Sequence, residues 1–387
     1  MKKIRLLTSL CLTALLFVTG CNAPAETTTS GGTQTGTASV TEPGTSAEVP
    51  EFNVAWSNEL HTGNMHLAFL KPELFEDKPI HLRPIGEKQL ELIKEGERVA
   101  VLNFIHSKSG AESATMMTQG HLDLAYGSST AFIASYDAGA ELSILAPIQS
   151  GGVSVVAAKD APYNTFEELV EYIKTAEEPI RGGYHSAVSS PRIVLEYALR
   201  DAGVKVTEDA ADYTADVLLT DLKGISNLIP AMSSGQVELW AGPVPNPQNA
   251  EAQGIGKIIA TLDQLPEGKW VDFPCCTMNV SDEFKEAHPE LVADMMQVTK
   301  DIHDFAQNER EETAELMTEF IGLDKEVLLK NDTTYTTEIT DYFTQGMETY
   351  YEAMTEMGKF SGRLKDKTNA EVLESVLDFT FANEANK

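Results

Sequence analysis

The sequence predicts an α/β fold of two lobes built on one plan. Three observations carry this. Strand-like and helix-like stretches alternate from Phe52 to about Ala260, the pattern of α/β layers around a largely parallel sheet. The stretch from Thr115 to Ala146 is echoed 115 positions later: Met117 matches Met232, Gly120 matches Gly235, Leu122-Asp123-Leu124 matches Val237-Glu238-Leu239, Gly127 matches Gly242 and Gly139 matches Gly254. Finally, Gly151-Gly152 divides two apolar strand runs, a place where a chain can pass from one lobe to another, and Pro274 to Val280 reads as the return crossing. The two echoed loops are expected to face each other across a cleft.

The 387 residues are 42% hydrophobic and 23% charged, an ordinary globular mix with length for two or three compact units. The formal net charge is -30. Such a surface repels nucleic acid and anionic headgroups, so any anionic ligand needs a locally positive or amide-lined pocket. Residues 1–20 carry Lys2, Lys3 and Arg5 ahead of an apolar run from Leu6 to Val18, too short to span a bilayer as a helix, and read as a signal peptide. Val18-Thr19-Gly20-Cys21 resembles the lipobox of bacterial lipoproteins, which implies lipidation at Cys21 and a membrane anchor on the extracytoplasmic face. Residues 21–50, rich in Thr, Ser, Gly, Ala, Pro and Glu, read as a flexible tether with a reach of roughly 30 Å. Of four cysteines, Cys11 leaves with the signal and Cys21 takes lipid. The remaining Cys275-Cys276 are sequence neighbours, which bridge only through a strained ring, so no disulfide framework is expected.

The folded part is expected to run as a first lobe over 51–150, a second over 151–276, and a return to the first over 277–387. Phe52 to Ser57 reads as the first strand, followed by a polar loop and a helix from about Met65 to Phe75. Ile80 to Pro84 reads as a strand, Gln89 to Lys94 as a short helical piece, and Val99 to Ile105 as a strand. Ser113 to Gln119 is helical and stopped by Gly120; Leu122 to Tyr126 is a strand ending in Gly127-Ser128-Ser129-Thr130, with a helix beyond. Leu142 to Pro147 and Val153 to Ala158 are the strands flanking the glycine pair. Thr165-Phe166-Glu167-Glu168 fits a capping box opening a helix. Ile180 to Tyr184 is a strand leading through His185 to Ser190 into a helix with Pro191 in its first turn and a serine as its cap. Asp216 to Leu222, Val237 to Trp240 and Ile255 to Ala260 complete the strands. From Asp282 onward helices dominate, and they are expected to pack back on the first lobe.

The signal segment, the tether, the two lobes and the stretches Gly120-His121-Leu122-Asp123-Leu124 with Gly127-Ser128-Ser129, and Gly235-Gln236-Val237-Glu238-Leu239-Trp240, resemble the solute-binding proteins of ABC importers. The similarity lies with the nitrate, sulfonate and taurine branch, which also includes binders of thiamine pyrimidine precursors. The resemblance implies a type II periplasmic-binding-protein fold, two lobes on a two-strand hinge, and closure on a solute held in the cleft. It implies a monomer that delivers its solute to a permease and its ATPase, with no catalysis and no cofactor. An enzyme of the pyrimidine-synthase type and a sensor subunit are the rival readings; the former has a longer cysteine cluster than stands here.

In such lobes ligands sit beyond strand C-termini, beside helix N-termini whose free amides suit anions. His185, Ser186 and Ser189 form one such loop, and Ser128, Ser129 and Thr130 another, although hydroxyls at these places also serve as helix caps. The resemblance places Ser57, Asn58 and His61, after the first strand, on the cleft wall. In the echo the hydroxyl loop becomes Pro243-Val244-Pro245-Asn246-Pro247, where proline offers no amide donor and Asn246 alone remains. Arg192 reads as pointing to solvent rather than as an anion clamp, and Trp240 as core. Cys275-Cys276 admits three readings: buried structural residues at the hinge, ligand contact at the cleft base, or a metal site. No metal site is expected; no His-Glu-x-x-His or Gly-x-Ser-x-Gly occurs.

Overall fold

The computed structural model describes residues 49–387. The signal segment, the Cys21 lipidation site and nearly all of the tether lie outside the described residues. β1 (Glu51–Trp56), α1 (Leu67–Leu70), β2 (Ile80–Gly86), β3 (Gln89–Lys94), β4 (Glu97–His106), α2 (Gly110–Thr118), β5 (Leu124–Ser128), α3 (Ser129–Asp137) and β6 (Leu142–Ser150) form the first pass of the chain. β7 (Val153–Ala158), α4 (Phe166–Ile173), β8 (Ile180–Tyr184), α5 (Ser190–Asp201), β9 (Val206–Thr207), β10 (Val217–Asp221), α6 (Leu228–Ser233), β11 (Leu239–Pro243), α7 (Asn246–Ala252) and β12 (Gly256–Thr261) follow. The chain closes with β13 (Pro274–Ser281), α8 (Asp282–Ala287), α9 (Pro289–Asn308), α10 (Arg310–Ile321), α11 (Lys325–Leu328), β14 (Thr334–Tyr335), α12 (Asp341–Glu356), α13 (Asn369–Val376) and α14 (Thr380–Ala385).

These strands form two sheets. One has the order β14-β6-β13-β5-β1-β4-β3-β2 and the other β12-β7-β11-β8-β10-β9. The chain therefore leaves the first sheet at Ser150 and re-enters it at Pro274. The first sheet is mainly antiparallel and the second mainly parallel. Only β4-β1-β5 pair in parallel in the first, and only β9-β10-β8-β11 in the second; the outer strands are antiparallel. The predicted helical piece at Gln89 to Lys94 is strand β3. Its Leu90 and Leu92 are fully buried, and Glu95-Gly96, both at positive φ (51° and 83°), turn it tightly into β4. Two such residues make the hairpin turn whose twist suits an antiparallel pair. The predicted helix from Met65 to Phe75 is broken into a 3-10 turn, α1 and another 3-10 turn at Pro72–Leu74. Pro72 lacks the N–H that would continue α1 and keeps Lys71 out of the helical region.

The echo survives as geometry. Gly120 and Gly235 both have φ of 72° and both end a helix, their amides bonding Met117 and Met232 carbonyls at 2.9 and 3.0 Å. The next acid does the same thing in each sheet. Asp123 accepts the Asn53 amide of β1 at 2.7 Å, and Glu238 accepts the Arg181 amide of β8 at 3.2 Å. One helix–glycine–strand unit thus feeds the parallel core of each sheet.

The helices after β13 do more than cover the first sheet. α9 lies on β2 and β14, and α13 and α14 lie on β6, but α11 also touches α7 and α12 touches α5. Within α9, His303 is fully buried, with Nδ1 at 2.8 Å from the Thr299 carbonyl. Burial pulls its pKa down to about 4 from an ordinary 6.5. Between those values the unfolded chain binds a proton that the folded chain does not. The contribution is therefore full above pH 6.5 and is lost as pH falls toward 4, at about 1.4 kcal/mol per unit. His303→Leu, which keeps an apolar side chain in the core, should flatten the fall in urea-unfolding free energy over that window. An unchanged slope would show that His303 is protonated in the native state.

Candidate functional site

A cleft cavity of about 710 Å³ opens between the two sheets. Its wall is made by the loops at the C-terminal ends of the parallel strands, where an α/β fold leaves helix N-termini and free amides pointing at a ligand. Ser57, Asn58 and Glu59 follow β1; His106 ends β4, and Lys108, Ser109 and Glu112 follow it. From the second sheet come His185 and Ser186 after β8, Asp221 at the end of β10 with Lys223, Gly224, Ile225 and Ser226 beyond it, and Pro245, Asn246 and Asn249 after β11. Ile321, Gly322 and Leu323, at the end of α10, close one side.

Five of the ten predicted ligand residues line this cavity: Ser57, Asn58, His185, Ser186 and Asn246. His185 is buried, and its Nδ1 has no partner among the described residues. Burial first, and the charge of His61 second, pull it down to about 4, so it enters the site as a neutral imidazole. Glu59 takes a bond from Ser57 Oγ at 2.9 Å through Oε1, while its Oε2 has no partner among the described residues. Burial raises its carboxyl above the ordinary value, against the opposing charge of His61.

The other five do not line the cavity, and their side chains are bonded to other parts of the protein. Ser128 Oγ lies 2.9 Å from Ser190 Oγ and accepts the Ser190 amide at 3.1 Å. Thr130 Oγ1 donates to the Val188 carbonyl at 2.6 Å, and Ser129 Oγ to the Cys275 carbonyl at 2.9 Å. Ser189 Oγ turns back to the Ser186 carbonyl at 3.0 Å. The expected serine cap from within the 185–190 loop is therefore not made: neither Ser189 nor Ser190 caps α5, and the hydroxyl that serves its start is Ser128 of the other sheet. The Ser128 side chain, at the N-cap of α3, does not cap that helix either. The 127–130 loop thus meets the 185–190 loop in direct contact, and of the echoed pair expected to face each other across the cleft only the second reaches the cavity, through Pro245 and Asn246.

His61 is also buried. Its Nε2 is 2.7 Å from the Gly152 carbonyl, and its Nδ1 lies 3.3 Å from Cys275 Sγ, 3.8 Å from Cys276 Sγ and 3.0 Å from Gln149 Nε2. Burial opposes its charge, but the Cys275 sulfur, Glu59 and the Gly152 carbonyl outweigh that and hold it up to about 9. Cys275 is correspondingly lowered, by the bond from Cys276 and the His61 charge, and Cys276 is raised. Arg192 does not point to solvent. It is 2% exposed, bonded to Glu196, Glu208 and the Ala187 carbonyl, and its guanidinium lies 4.0 Å from the Tyr184 ring centre. It holds the 185–190 loop from behind and does not reach the cavity. Trp240 is fully buried core.

The loops after β4 and β10 were not singled out from the sequence, although both strands were. The usable signal was positional: residues following a parallel strand's C-terminus. Without pairing, the sequence cannot say which strands are parallel.

Among the described residues no helix is long and apolar enough to cross a membrane. No match to the chain was found among curated proteins. Solved structures of the same fold are numerous. A ligand-binding component of an ABC-type import system from Staphylococcus aureus, with zinc bound, matches 87% of this chain and 99% of its own at 14% identity and a TM-score of 0.66. The alkanesulfonate-binding protein SsuA from Xanthomonas axonopodis pv. citri, bound to MOPS, matches 84% and 99% at 13% identity and 0.63. The periplasmic nitrate-binding protein NrtA from Synechocystis PCC 6803 matches 87% and 88% at 14% identity and 0.64. These similarities establish the two-lobe periplasmic-binding-protein fold. The NMT1-like family profile matches residues 84–322, more than half of the sequence, and the chain belongs to the NMT1-like family.

Proposed function

We propose that this chain is the extracytoplasmic solute-binding component of an ABC importer. It captures a small polar solute between its lobes and presents the closed form to a permease and its ATPase. It works as a monomer, held to the membrane by lipid on Cys21, and performs no covalent chemistry. The observation that carries this reading is the cleft cavity itself: groups from strand ends of both sheets converge on one space, so a solute bound there stabilises the closed form.

The lining favours a solute bearing both charges. Lys108, which has no ion-pair partner among the described residues, lines the same cavity as Glu59 and Glu112, while Asp221 is already paired with Lys223 at 2.5 Å. An aminosulfonate of the taurine type offers an anionic end for Lys108 and the Ser109 loop and a cationic end for the carboxylates. Among the described residues no Phe, Tyr or Trp lines the cavity, so a thiamine pyrimidine precursor would lack a stacking platform.

Calorimetric titration with taurine, simple alkanesulfonates, nitrate, carboxylates and pyrimidines tests this. Taurine-like solutes should bind, and His185→Ala, which removes one buried hydrogen-bonding group, should weaken binding about tenfold. Tyr213→Ala, at an 86% exposed position, should leave binding unchanged. If no member of the panel binds the folded protein, the solute-capture reading is withdrawn.

A further inference from the structure

The hinge holds a side-chain cluster that solute capture does not use. His61 comes from the loop after β1, Gln149 from the end of β6 at the outward crossing, and Cys275 and Cys276 from the start of β13 at the return crossing. All four are between 0 and 4% exposed. We propose that this cluster is a metal site for a thiophilic divalent ion, zinc(II) in the first instance, which pins the two hinge crossings to the loop after β1.

Four features of the geometry support it. The first is the imidazole. Nε2 faces the Gly152 carbonyl at 2.7 Å, and a carbonyl only accepts, so Nε2 keeps its hydrogen and Nδ1 is the atom aimed at the sulfurs. A ligating histidine held through its other nitrogen by a backbone carbonyl is the usual second-shell arrangement.

The second is the spacing. Nδ1 and the two sulfurs form a triangle with sides of 3.3, 3.8 and 3.9 Å. A tetrahedral ion with Zn–N near 2.0 Å and Zn–S near 2.3 Å requires sides of about 3.5 Å for N···S and about 3.8 Å for S···S. The donors stand in place without movement of the backbone.

The third is the strand. Successive residues of a regular strand point to opposite faces, and Cys275 and Cys276 should therefore diverge. They converge because the pairing of β13 with β6 is irregular on both sides of Cys276. A bulge of this kind re-aims a side chain, and here it brings both sulfurs to one imidazole.

The fourth is Gln149. Its Nε2 lies 3.0 Å from His61 Nδ1, while its buried Oε1 has no partner among the described residues. A half-turn of the amide exchanges the two atoms and offers an oxygen as the fourth donor. Thiolate and imidazole donors select zinc-like ions over magnesium or calcium. Binding displaces the proton on Nδ1 and any thiol proton to solvent, and no electron is transferred.

The proposal does not depend on the solute-binding reading, because its test contains no solute. Full-length protein, kept reduced with a phosphine and stripped with a chelator, is titrated with cobalt(II). One equivalent should produce thiolate-to-metal charge-transfer and tetrahedral ligand-field bands, which zinc(II) then displaces. Because Cys11 and Cys21 also carry thiols, Cys11→Ser/Cys21→Ser should keep the bands and Cys275→Ser/Cys276→Ser should lose them. Circular dichroism reports whether the second variant is folded. If it is not, the zinc edge of the wild-type protein decides, with two sulfurs expected in the first coordination sphere. The proposal is overturned if folded wild-type protein gives no bands, if they follow Cys11 and Cys21, if they persist without Cys275 and Cys276, or if the zinc sphere contains only nitrogen and oxygen.

Discussion

Arg192→Ala should lower the unfolding free energy by about 3–5 kcal/mol, the usual cost of removing one partner from a buried ion pair. The guanidinium is 1% exposed, with Glu196 Oε2 at 3.1 Å and Glu208 Oε2 at 2.8 Å. Glu196 is itself 5% exposed, so alanine would leave its Oε2 buried without its cation. Arg200, at 2.8 Å from Oε1, keeps only the other oxygen satisfied. The substitution also removes the stacking on Tyr184 and the bond from Nη1 to the Ala187 carbonyl at 3.0 Å. Since Ala187 borders the cavity, solute affinity should fall along with stability. Urea denaturation read by circular dichroism measures the first effect. A loss below about 1 kcal/mol, the range of exposed ion pairs, would mean that water reaches this network.

Gly152→Ala is the second substitution with a large expected cost, about 2–5 kcal/mol. Part of this is conformational, since φ is 69° and a side chain in the left-handed region costs roughly 1–2 kcal/mol. The rest is packing. An added Cβ would stand 2.3 Å from Thr333 Oγ1 and 2.7 Å from His61 Nε2, and overpacking of this kind costs typically about 1–3 kcal/mol. Gly96→Ala separates the two parts. Gly96 has φ of 83° but nothing within 4 Å of the added atom, so only the conformational part should appear there. Equal losses at the two positions would show that the hinge yields to the methyl group without strain. The Gly152 variant should also displace the imidazole of His61, so its cobalt(II) spectrum should weaken, while that of Gly96→Ala should not.

Much of the fold could be read before any coordinates. The offset of 115 residues marked a real unit, because a helix stop, a strand-opening acid and a buried strand must come in that order for a helix to feed a parallel core. The glycine pair marked the outward crossing because Gly151 and Gly152 both need positive φ, 71° and 69°. The strand at Gln89 to Lys94 was misread because six residues with leucines at alternate positions are short for either period, and the turn signal Glu95-Gly96 was needed to decide.

Local pattern settled the sequence of elements, the glycine stops and the polar character of the loops, because backbone sterics and hydrophobic periodicity act over a few residues. Which polar loops share a cavity was decided by strand pairing across long chain separations. Ser128 and Lys108 both follow strands of the first sheet, yet only Lys108 reaches the cleft, because Ser128 is taken up by the start of α5, 62 residues away. His61 reaches Cys275 and Cys276 over more than 200 residues, and only the two hinge crossings, closed by an irregular strand pairing, bring them together.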